Sequence, residues 1–298
     1  MSESLAVADH IEPAGADWLF RIGGAIVALV LFLAAFGPTL APYNPTLTTP
    51  EVSSPPPALA DLPRLILTAI VSKNTAPVHW FGTDASGLDI FSRVISAPRI
   101  DLTIALVANG LSLLLGISIG LLCGYFRNLG TEIIMRVSDV LQSFPVFISA
   151  MILVALGGRS IGNIVIALAA LYTPIYIRLT RAEVMGQKVR GYVEAARAIG
   201  NGEAMIAIKH VLPNSLTPAL IQSSVTVGFA ILLTAGLSFV GAGVQPPTPE
   251  WGLMISTGAN QIVLGEWWPS VFPGIAISIT VFGFAVLGNA LERSYAAG

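Results

Sequence analysis

The chain has 298 residues, of which 54% are hydrophobic and only 11% are charged, and its mean hydropathy is +0.77. Soluble domains carry about 25% charged residues, so this chain has too little polar surface to cover a water-soluble globule. The formal net charge of −2 gives no indication of nucleic-acid binding. The single cysteine, Cys123, excludes an internal disulfide, and the three histidines lie too far apart in the sequence to predict a metal site.

Six apolar segments approach or exceed the roughly 20 residues that a helix needs to cross the bilayer core. The predicted spans are 18–40, 102–126, 133–156, 161–179, 216–240 and 271–291. Arg136, Asp139 and Pro145 interrupt the third span, and we expect its first turns to lie at the membrane surface. The N-terminal tail, 1–17, is acidic and therefore unlike a signal peptide, so the first span is interpreted as a retained one. The pattern predicts an all-α polytopic membrane protein with six transmembrane helices.

A polar insert, residues 41–98, separates the first two spans. Its three consecutive prolines rule out a regular helix at 55–57, and the apolar segment 62–71 is short enough to favour a surface-lying helix. Eight Lys and Arg residues lie in or beside the loops that follow spans two and four, whereas the short loops of the opposite side carry only Arg159. The basic side is expected in the cytoplasm, together with both tails, 1–17 and 292–298, and the insert is expected outside.

The interiors of the predicted spans are low in polar chemistry and rich in small residues. No Asp, Glu, Lys or His lies near the middle of a span, whereas ion-coupled carriers usually need such groups. Gly116, Gly120 and Gly124 recur at every fourth residue of the second span. This spacing predicts close packing of that span against another helix of the same chain, with a seam between two subunits as the alternative.

The sequence contains no G-x-x-x-x-G-K-[ST], H-E-x-x-H or G-x-S-x-G motif, so no catalytic residue is predicted and the chain is not expected to be an enzyme. The most informative stretch is 182–214, which is longer than a connector requires. It predicts a short helix over 192–199 that ends at Gly200, and a second over 203–211 that stops before Pro213. Two short helices at an angle would present a compact surface to another protein, and an ordinary charged connector is the alternative.

Four stretches resemble motifs of one transporter family. The EAA loop of ATP-driven (ABC) importer permeases has Glu-Ala-Ala, then Gly, then Leu-Pro at a fixed spacing, which this chain has at Glu194, Ala195, Ala196, Gly200, Leu212 and Pro213. His210 stands where the general pattern has Ile, and His is common there in the peptide-transporter branch. Segments 79–102, 133–145 and 236–255 are similar to the C-type subunit of the dipeptide/oligopeptide permease family, with departures at Phe81 and Leu88.

The resemblance implies a type I ABC importer permease fold with residues 99–291 as its core, in the bacterial plasma (inner) membrane. It implies a second permease subunit, expected to be of the B-type in a heterodimer, although a homodimer stays open. It further implies two ATPase subunits that bind ATP and Mg, and an extracytoplasmic substrate-binding protein, while this chain itself would bind no cofactor. Di- or oligopeptides are the favoured substrates. A nickel complex, glutathione, an opine-like or sugar-like compound, and a secondary carrier or a purely structural subunit are the alternatives.

The resemblance also implies two functional surfaces. The surface that docks the ATPase would comprise Tyr192, Glu194, Ala195, Ala196, Ala198, Gly200, His210, Leu212 and Pro213. The extracytoplasmic mouth of the translocation path would comprise Gly82, Thr83, Asp84, Gln245, Pro246, Pro247 and Trp251.

Overall fold

The computed structural model describes residues 16–58, 60–61 and 78–296, which form eleven α-helices and no strand. The helices are α1 Ala16–Leu40, α2 Ile90–Ser96, α3 Pro98–Tyr125, α4 Leu129–Ser143, α5 Val146–Gly157, α6 Ile161–Gln187, α7 Gly191–Ala198, α8 Glu203–Ile206, α9 Thr217–Phe239, α10 Trp251–Ala259 and α11 Trp268–Ala296. A π-helical turn, Ala207–Val211, follows α8, and two 3-10 turns lie at Pro213–Ser215 and Ile262–Leu264. The surface helix predicted over 62–71 lies outside the described residues.

Five helical stretches within the described ranges are long and apolar enough to cross a membrane, and α4 with α5 makes a sixth if the two count as one span. These stretches confirm an all-α polytopic fold. The sixth differs from the straight span predicted over 133–156, because α4 and α5 meet at a bend of 98°. Pro145 causes the break: it disfavours helical geometry in the residue before it, and Phe144 is accordingly extended, with φ −91° and ψ 144°.

The second span begins earlier than the sequence pattern predicts, at Ile90 rather than at residue 102. The Asp89 side chain caps α2 by accepting a hydrogen bond from the Ser92 N–H. Ala97 keeps helical geometry between α2 and α3, and Pro98 occupies the first position of α3, where a helix tolerates proline. The helical path therefore runs through the charged segment that the hydropathy pattern had assigned to the polar insert.

The most extensive helix pairing joins α3 to α6. Three of the four glycines of α3 lie along this contact, and a Cβ added to any of these three would meet α6 at less than van der Waals distance. At Gly116 it would lie 2.2 Å from the Tyr176 Cβ, and at Gly120 it would lie 2.7 Å from the Thr180 Cβ. At Gly124 it would lie 2.8 Å from the Val184 Cβ, which confirms the predicted packing within the chain.

The outer helices α1 and α11 pack against each other in the same way. A Cβ at Gly23 of α1 would lie 2.8 Å from the Leu287 backbone nitrogen, and one at Gly283 of α11 would lie 2.4 Å from Ile26. Large apolar side chains such as Leu114 and Phe282 remain exposed on the outer faces of the spans. This is the arrangement expected of helices that face lipid rather than water, where packing and not hydrophobic burial joins them.

The α3–α6 contact gives the first prediction. Gly116→Ala should destabilise the protein by about 1 to 3 kcal/mol, because the added methyl overpacks the contact with Tyr176. Gly110→Ala is the matched control on the same helix, since nothing lies within 4 Å of the added Cβ; it should be neutral or stabilising by up to about 1 kcal/mol. Denaturant titration of the purified protein in detergent measures both. Equal stability of the two variants would contradict the packing account.

Candidate docking surface and candidate path mouth

The docking residues predicted from the sequence lie on a knob of residues 191–215 that joins α6 to α9. Its first helix, α7, ends where Gly200 takes a positive φ of 90°. The Asn201 N–H donates to the Ala196 carbonyl at 3.2 Å and the Gly200 N–H donates to the Arg197 carbonyl at 3.0 Å. Such a left-handed residue at the end of a helix favours glycine, as the sequence pattern indicates.

The inner face of the knob is apolar and rests on the last turns of two spans. One buried cluster contains knob residues together with residues of α3 and α6: Leu121, Tyr125, Val184, Val193, Ala196, Ile206, Ala207 and Val211. The two short helices of the knob are thus packed against the ends of α3 and α6. A displacement of the knob has to displace the ends of α3 and α6 as well, because close-packed contacts transmit strain.

A polar clasp, formed by Tyr125, Lys188, Arg197 and Glu203, holds the same junction from the side. The Arg197 Nε donates to Glu203 Oε1 at 2.6 Å, and the Tyr125 hydroxyl donates to Glu203 Oε2. The Lys188 Nζ donates to the Tyr125 carbonyl at 2.6 Å. The hydrogen bonds from Arg197 and then Tyr125 lower the pKa of Glu203 to about 2. Glu203 is therefore ionised at neutral pH and ties α7 and α8 to the end of α3.

The outer face of the knob is exposed and carries most of the predicted docking residues. Those exposed are Tyr192, Glu194, Ala195, Ala198, Gly200 and Pro213, those half-buried are His210 and Leu212, and Ala196 faces inward. Sequence reasoning missed the apolar part of this surface: Ile199 is 80% exposed, and Val189 and Ile208 are exposed nearby. The signal was an isoleucine directly before the helix-ending Gly200. Exposed apolar side chains on a rim of polar ones are typical of a protein–protein contact.

The residues predicted for the path mouth lie at the other end of α3, where some are buried and others are exposed. Gly82, Thr83 and Trp251 are buried, and Asp84 is half-buried. The exposed members are consecutive, at 245–247. Buried members of the set can only shape this end of the protein, whereas the exposed loop at 245–247 is free to meet a ligand or a partner.

The motif at residues 79–102 builds the loop that supports this end. Asp84 Oδ1 accepts hydrogen bonds from the N–H groups of Ser86 and Leu88, at 2.8 and 2.9 Å. Asp89, which caps α2, also bonds to His79 Nδ1 at 2.7 Å. These side chains bond to nearby groups, which explains why the motif needs short polar residues at these spacings.

Arg93, which lies in the 79–102 segment, ties three separated segments together. Its Nη1 donates to the Pro45 carbonyl at 2.8 Å and to the Pro247 carbonyl at 3.0 Å, and its Nη2 donates to the Thr248 carbonyl at 3.4 Å. Trp268 Nε1 adds a hydrogen bond to the Thr83 carbonyl at 3.0 Å. The residues after α1, the loop before α2 and the loop before α10 are therefore fixed relative to one another.

The comparisons with known proteins identify the family. Residues 116–296 match the family described as the binding-protein-dependent transport system inner membrane component. The chain belongs to this family of transport permeases. The dipeptide transport system permease protein DppC of Escherichia coli K12 is 39% identical over 271 residues, which are 91% of this chain and 86% of that one. The glutathione transport system permease protein GsiD of Pectobacterium atrosepticum is 36% identical over 222 residues, 74% of this chain and 73% of that one.

A third relative, the probable D,D-dipeptide transport system permease protein DdpC of Escherichia coli K12, is 35% identical over 267 residues, covering 90% of this chain and 83% of that one. Among solved structures, the MetNI methionine ABC transporter in inward-facing conformations aligns with a TM-score of 0.54 at 17% identity. The alignment covers 68% of this chain and 95% of that chain. The predicted resemblance to dipeptide/oligopeptide permeases, and the importer permease fold, are confirmed.

The clasp gives the second prediction. Tyr125→Phe keeps the ring in the buried cluster but removes the hydroxyl that donates to Glu203, so α8 and the following π-helical turn should exchange their amide hydrogens faster. The control is Tyr192→Phe, which removes an exposed hydroxyl that bonds to Gln187 at the end of α6 and should leave that exchange unchanged. Hydrogen–deuterium exchange followed by mass spectrometry measures peptides over 203–211.

The pH dependence of the clasp follows from the direction in which the pKa of Glu203 is shifted. A lowered carboxyl pKa contributes stability above the ordinary glutamate value near 4.3, and this contribution is lost as the pH falls toward about 2. Protection of 203–211, corrected for the intrinsic exchange rate, should therefore stay constant from neutral pH to about pH 5. Unchanged exchange in Tyr125→Phe would show that the clasp does not hold the knob.

Proposed function

We propose that this chain is one of two permease subunits of an ATP-driven importer, and that its knob passes the ATPase cycle to the membrane spans. The observation that carries the proposal is the two-sided construction of the knob. Its outer face is exposed, with Glu194 and Ile199 at the surface, while its inner face is fixed to the ends of α3 and α6. A partner bound to the outer face of the knob thus acts on both α3 and α6.

The α3–α6 contact supports the transmission of motion from the knob through the membrane spans. Because the backbones approach closely along three glycines of α3, the two helices cannot slide past each other without overlap between Gly116 and Tyr176 or between Gly124 and Val184. They are therefore expected to move as one body relative to the outer helices α1 and α11. Rigid-body motion of packed elements is a common way for a local displacement to reach a distant site.

The partners follow from the proposal. Two ATPase subunits would bind ATP and Mg and dock on the outer face of the knob, and this chain would bind no cofactor itself. A second permease subunit, of a different kind in a heterodimer, would supply the other half of the translocation path. A substrate-binding protein would deliver the ligand outside, at the end where the 245–247 loop is exposed.

Two of the relatives support a peptide substrate, since their names cover dipeptides and D,D-dipeptides. The third is named for glutathione, which stays the alternative. We infer a di- or oligopeptide for this chain. Native mass spectrometry of the purified assembly with its binding protein would identify the ligand. A peptide mass supports the inference, whereas a nickel complex or an opine-like or sugar-like compound would replace it without affecting the proposed coupling.

The third prediction tests coupling. Gly200→Ala should lower substrate-stimulated ATP hydrolysis, because alanine resists the positive φ at this turn by roughly 1 to 2 kcal/mol, and a changed turn shifts α8. Gly202→Ala is the matched control: its φ is −71° and nothing lies within 4 Å of the added Cβ, so it should behave like wild type.

Glu194→Lys reverses an exposed charge on the docking face and should reduce the amount of ATPase subunit that co-purifies.

The control for the charge reversal is Glu292→Lys, which is exposed on α11 and outside the knob. Reconstituted vesicles report ATP hydrolysis and transport, and the subunit content is read from the same preparation. If Gly200→Ala and Glu194→Lys both transport and hydrolyse like wild type with full subunit content, the coupling role of the knob is wrong.

The fourth prediction tests orientation, with both termini in the cytoplasm and the residues after α1 outside. Ala60 and Arg190 are both exposed, so each can carry a reporter cysteine once the buried Cys123 has been replaced by alanine. A membrane-impermeant maleimide added to intact cells should label Ala60→Cys and not Arg190→Cys, and both should react after permeabilisation. The reverse pattern, or equal labelling in intact cells, contradicts the orientation.

A further inference from the structure

Two carboxyl groups are buried against each other at the end of the protein opposite the knob. Asp101, in the first turn of α3, is 2% exposed, and Glu250, the residue before α10, is 0% exposed. Asp101 Oδ2 lies 3.4 Å from the backbone nitrogen of Trp251, the residue directly after Glu250, so the two carboxyl groups are neighbours. Neither residue was among those that the sequence predicted to be functional, and a buried ionisable group in a membrane protein is costly enough to call for an explanation.

The hydrogen bonds of the two groups are unequal. Glu250 Oε1 accepts from the Gly252 N–H at 3.0 Å, and Oε2 accepts from the Leu253 N–H at 2.6 Å. Asp101 Oδ2 accepts a longer bond from the Trp251 N–H at 3.4 Å. Asp101 Oδ1 is buried and receives a hydrogen bond from no donor of the described residues. Glu250 therefore accepts two N–H groups at the start of α10, as expected of an anion, whereas Asp101 accepts only one longer bond.

Among the residues that the structure describes, no basic side chain compensates the pair. Neither α9 nor α10 contains a charged residue. The charged and titratable side chains on the neighbouring described segments are Tyr43, Glu51, His79, Asp84, Asp89, Arg93, Arg99 and Glu266. Tyr43 stacks on His79, Glu51 lies 3.7 Å from the His79 Nε2, and Asp84 accepts from the N–H groups of Ser86 and Leu88. Arg93 directs its guanidinium to three backbone carbonyls, and Arg99 is exposed. Asp89 and His79 bond to each other, and Glu266 accepts from Ser53.

Two ionised carboxylates in contact would repel each other strongly in so buried a place. A hard metal cation needs about six or more oxygen ligands, but Asp101 Oδ1 is the one oxygen of the pair that accepts no hydrogen bond. A proton can instead bind to Asp101 Oδ1 alone, and no further ligand is required. Burial raises the pKa of Glu250, and the N–H groups of Leu253 and Gly252 act in the opposite direction.

We propose that Asp101 and Glu250 form a one-proton latch, in which a neutral Asp101 donates a hydrogen bond from Oδ1 to the Glu250 carboxylate. The latch fixes the start of α10 to the start of α3. Trp251 strengthens the same junction, because its Nε1 donates to the Val94 carbonyl at 3.0 Å. Loss of the proton places two anions in contact and loosens α10 at the end that carries the exposed 245–247 loop. The latch does not depend on the coupling proposed for the knob.

Infrared difference spectroscopy of the purified, assembled complex tests the latch directly. Asp101→Asn keeps the shape and the hydrogen-bond donor of a neutral aspartic acid but cannot hold the proton. The spectrum of wild type minus Asp101→Asn at neutral pH should contain the C=O stretch of a protonated carboxylic acid, and this band should shift in D2O. Asp139→Asn is the control, because Asp139 is exposed and paired with Arg178 at 2.8 Å; its difference spectrum should contain carboxylate bands.

Carboxylate bands in the Asp101→Asn difference spectrum would overturn the proposal, since they would show that Asp101 is ionised. The unfolding temperature of the same complexes provides a second, independent test. Asp101→Asn should unfold at nearly the wild-type temperature, whereas Asp101→Leu, which has no donor for Glu250, should unfold at a clearly lower one. Failure of Asp101→Asn to assemble would also overturn the proposal, because the asparagine reproduces every hydrogen bond that the latch requires.

Discussion

The close contact between α3 and α6 is the constraint on which the rest of the structure depends. Lipid provides no hydrophobic force between spans, so the pair has to be held by close packing. The glycines at 116, 120 and 124 permit this approach. Both candidate functional regions are then built on the two ends of α3. The knob rests on Tyr125 at one end, and the segment of Glu250 and Trp251 meets Asp101 at the other.

The two ends of this helix pair are stabilised by different interactions. At the knob, an apolar cluster and a clasp whose Arg197–Glu203 ion pair is exposed leave a broad surface open to a partner. At the opposite end, Arg93 and the Asp101–Glu250 pair are buried and bond to groups within the chain. Buried polar groups are costly to leave unpaired, so this end is expected to change between discrete arrangements.

The sequence was sufficient for most of the fold. Apolar runs located the spans, and the glycine spacing located the closest contact. It was insufficient where one residue decides the geometry. Pro145 bends the third span by 98° because it restricts Phe144, and hydropathy does not register a bend. The second span begins at Ile90, within the predicted insert, because Asp89 supplies a helix cap.

The candidate sites were predicted unevenly for a related reason. The EAA pattern located the knob and its glycine turn, since a positive φ imposes a residue type. Arg93, Asp101 and Glu250 were missed as a group because they act through partners up to about 150 residues away in the chain. Periodicity and local motifs do not contain such contacts. Of the predicted path-mouth residues, Thr83 and Trp251 proved to be buried, a distinction that only the packing reveals.

The central claim, that the knob, α3 and α6 move as one body, is tested most directly by distances between spin labels in the assembled importer. One pair would join Ala198 on the knob to Ile166 on α6, and a second would join Ile166 to Ile279 on α11; all three positions are exposed. Between the nucleotide-free and ATP-bound states, the first distance should stay constant while the second changes. A first distance that changes as much as the second would show that the knob moves independently of the spans, and would contradict the account.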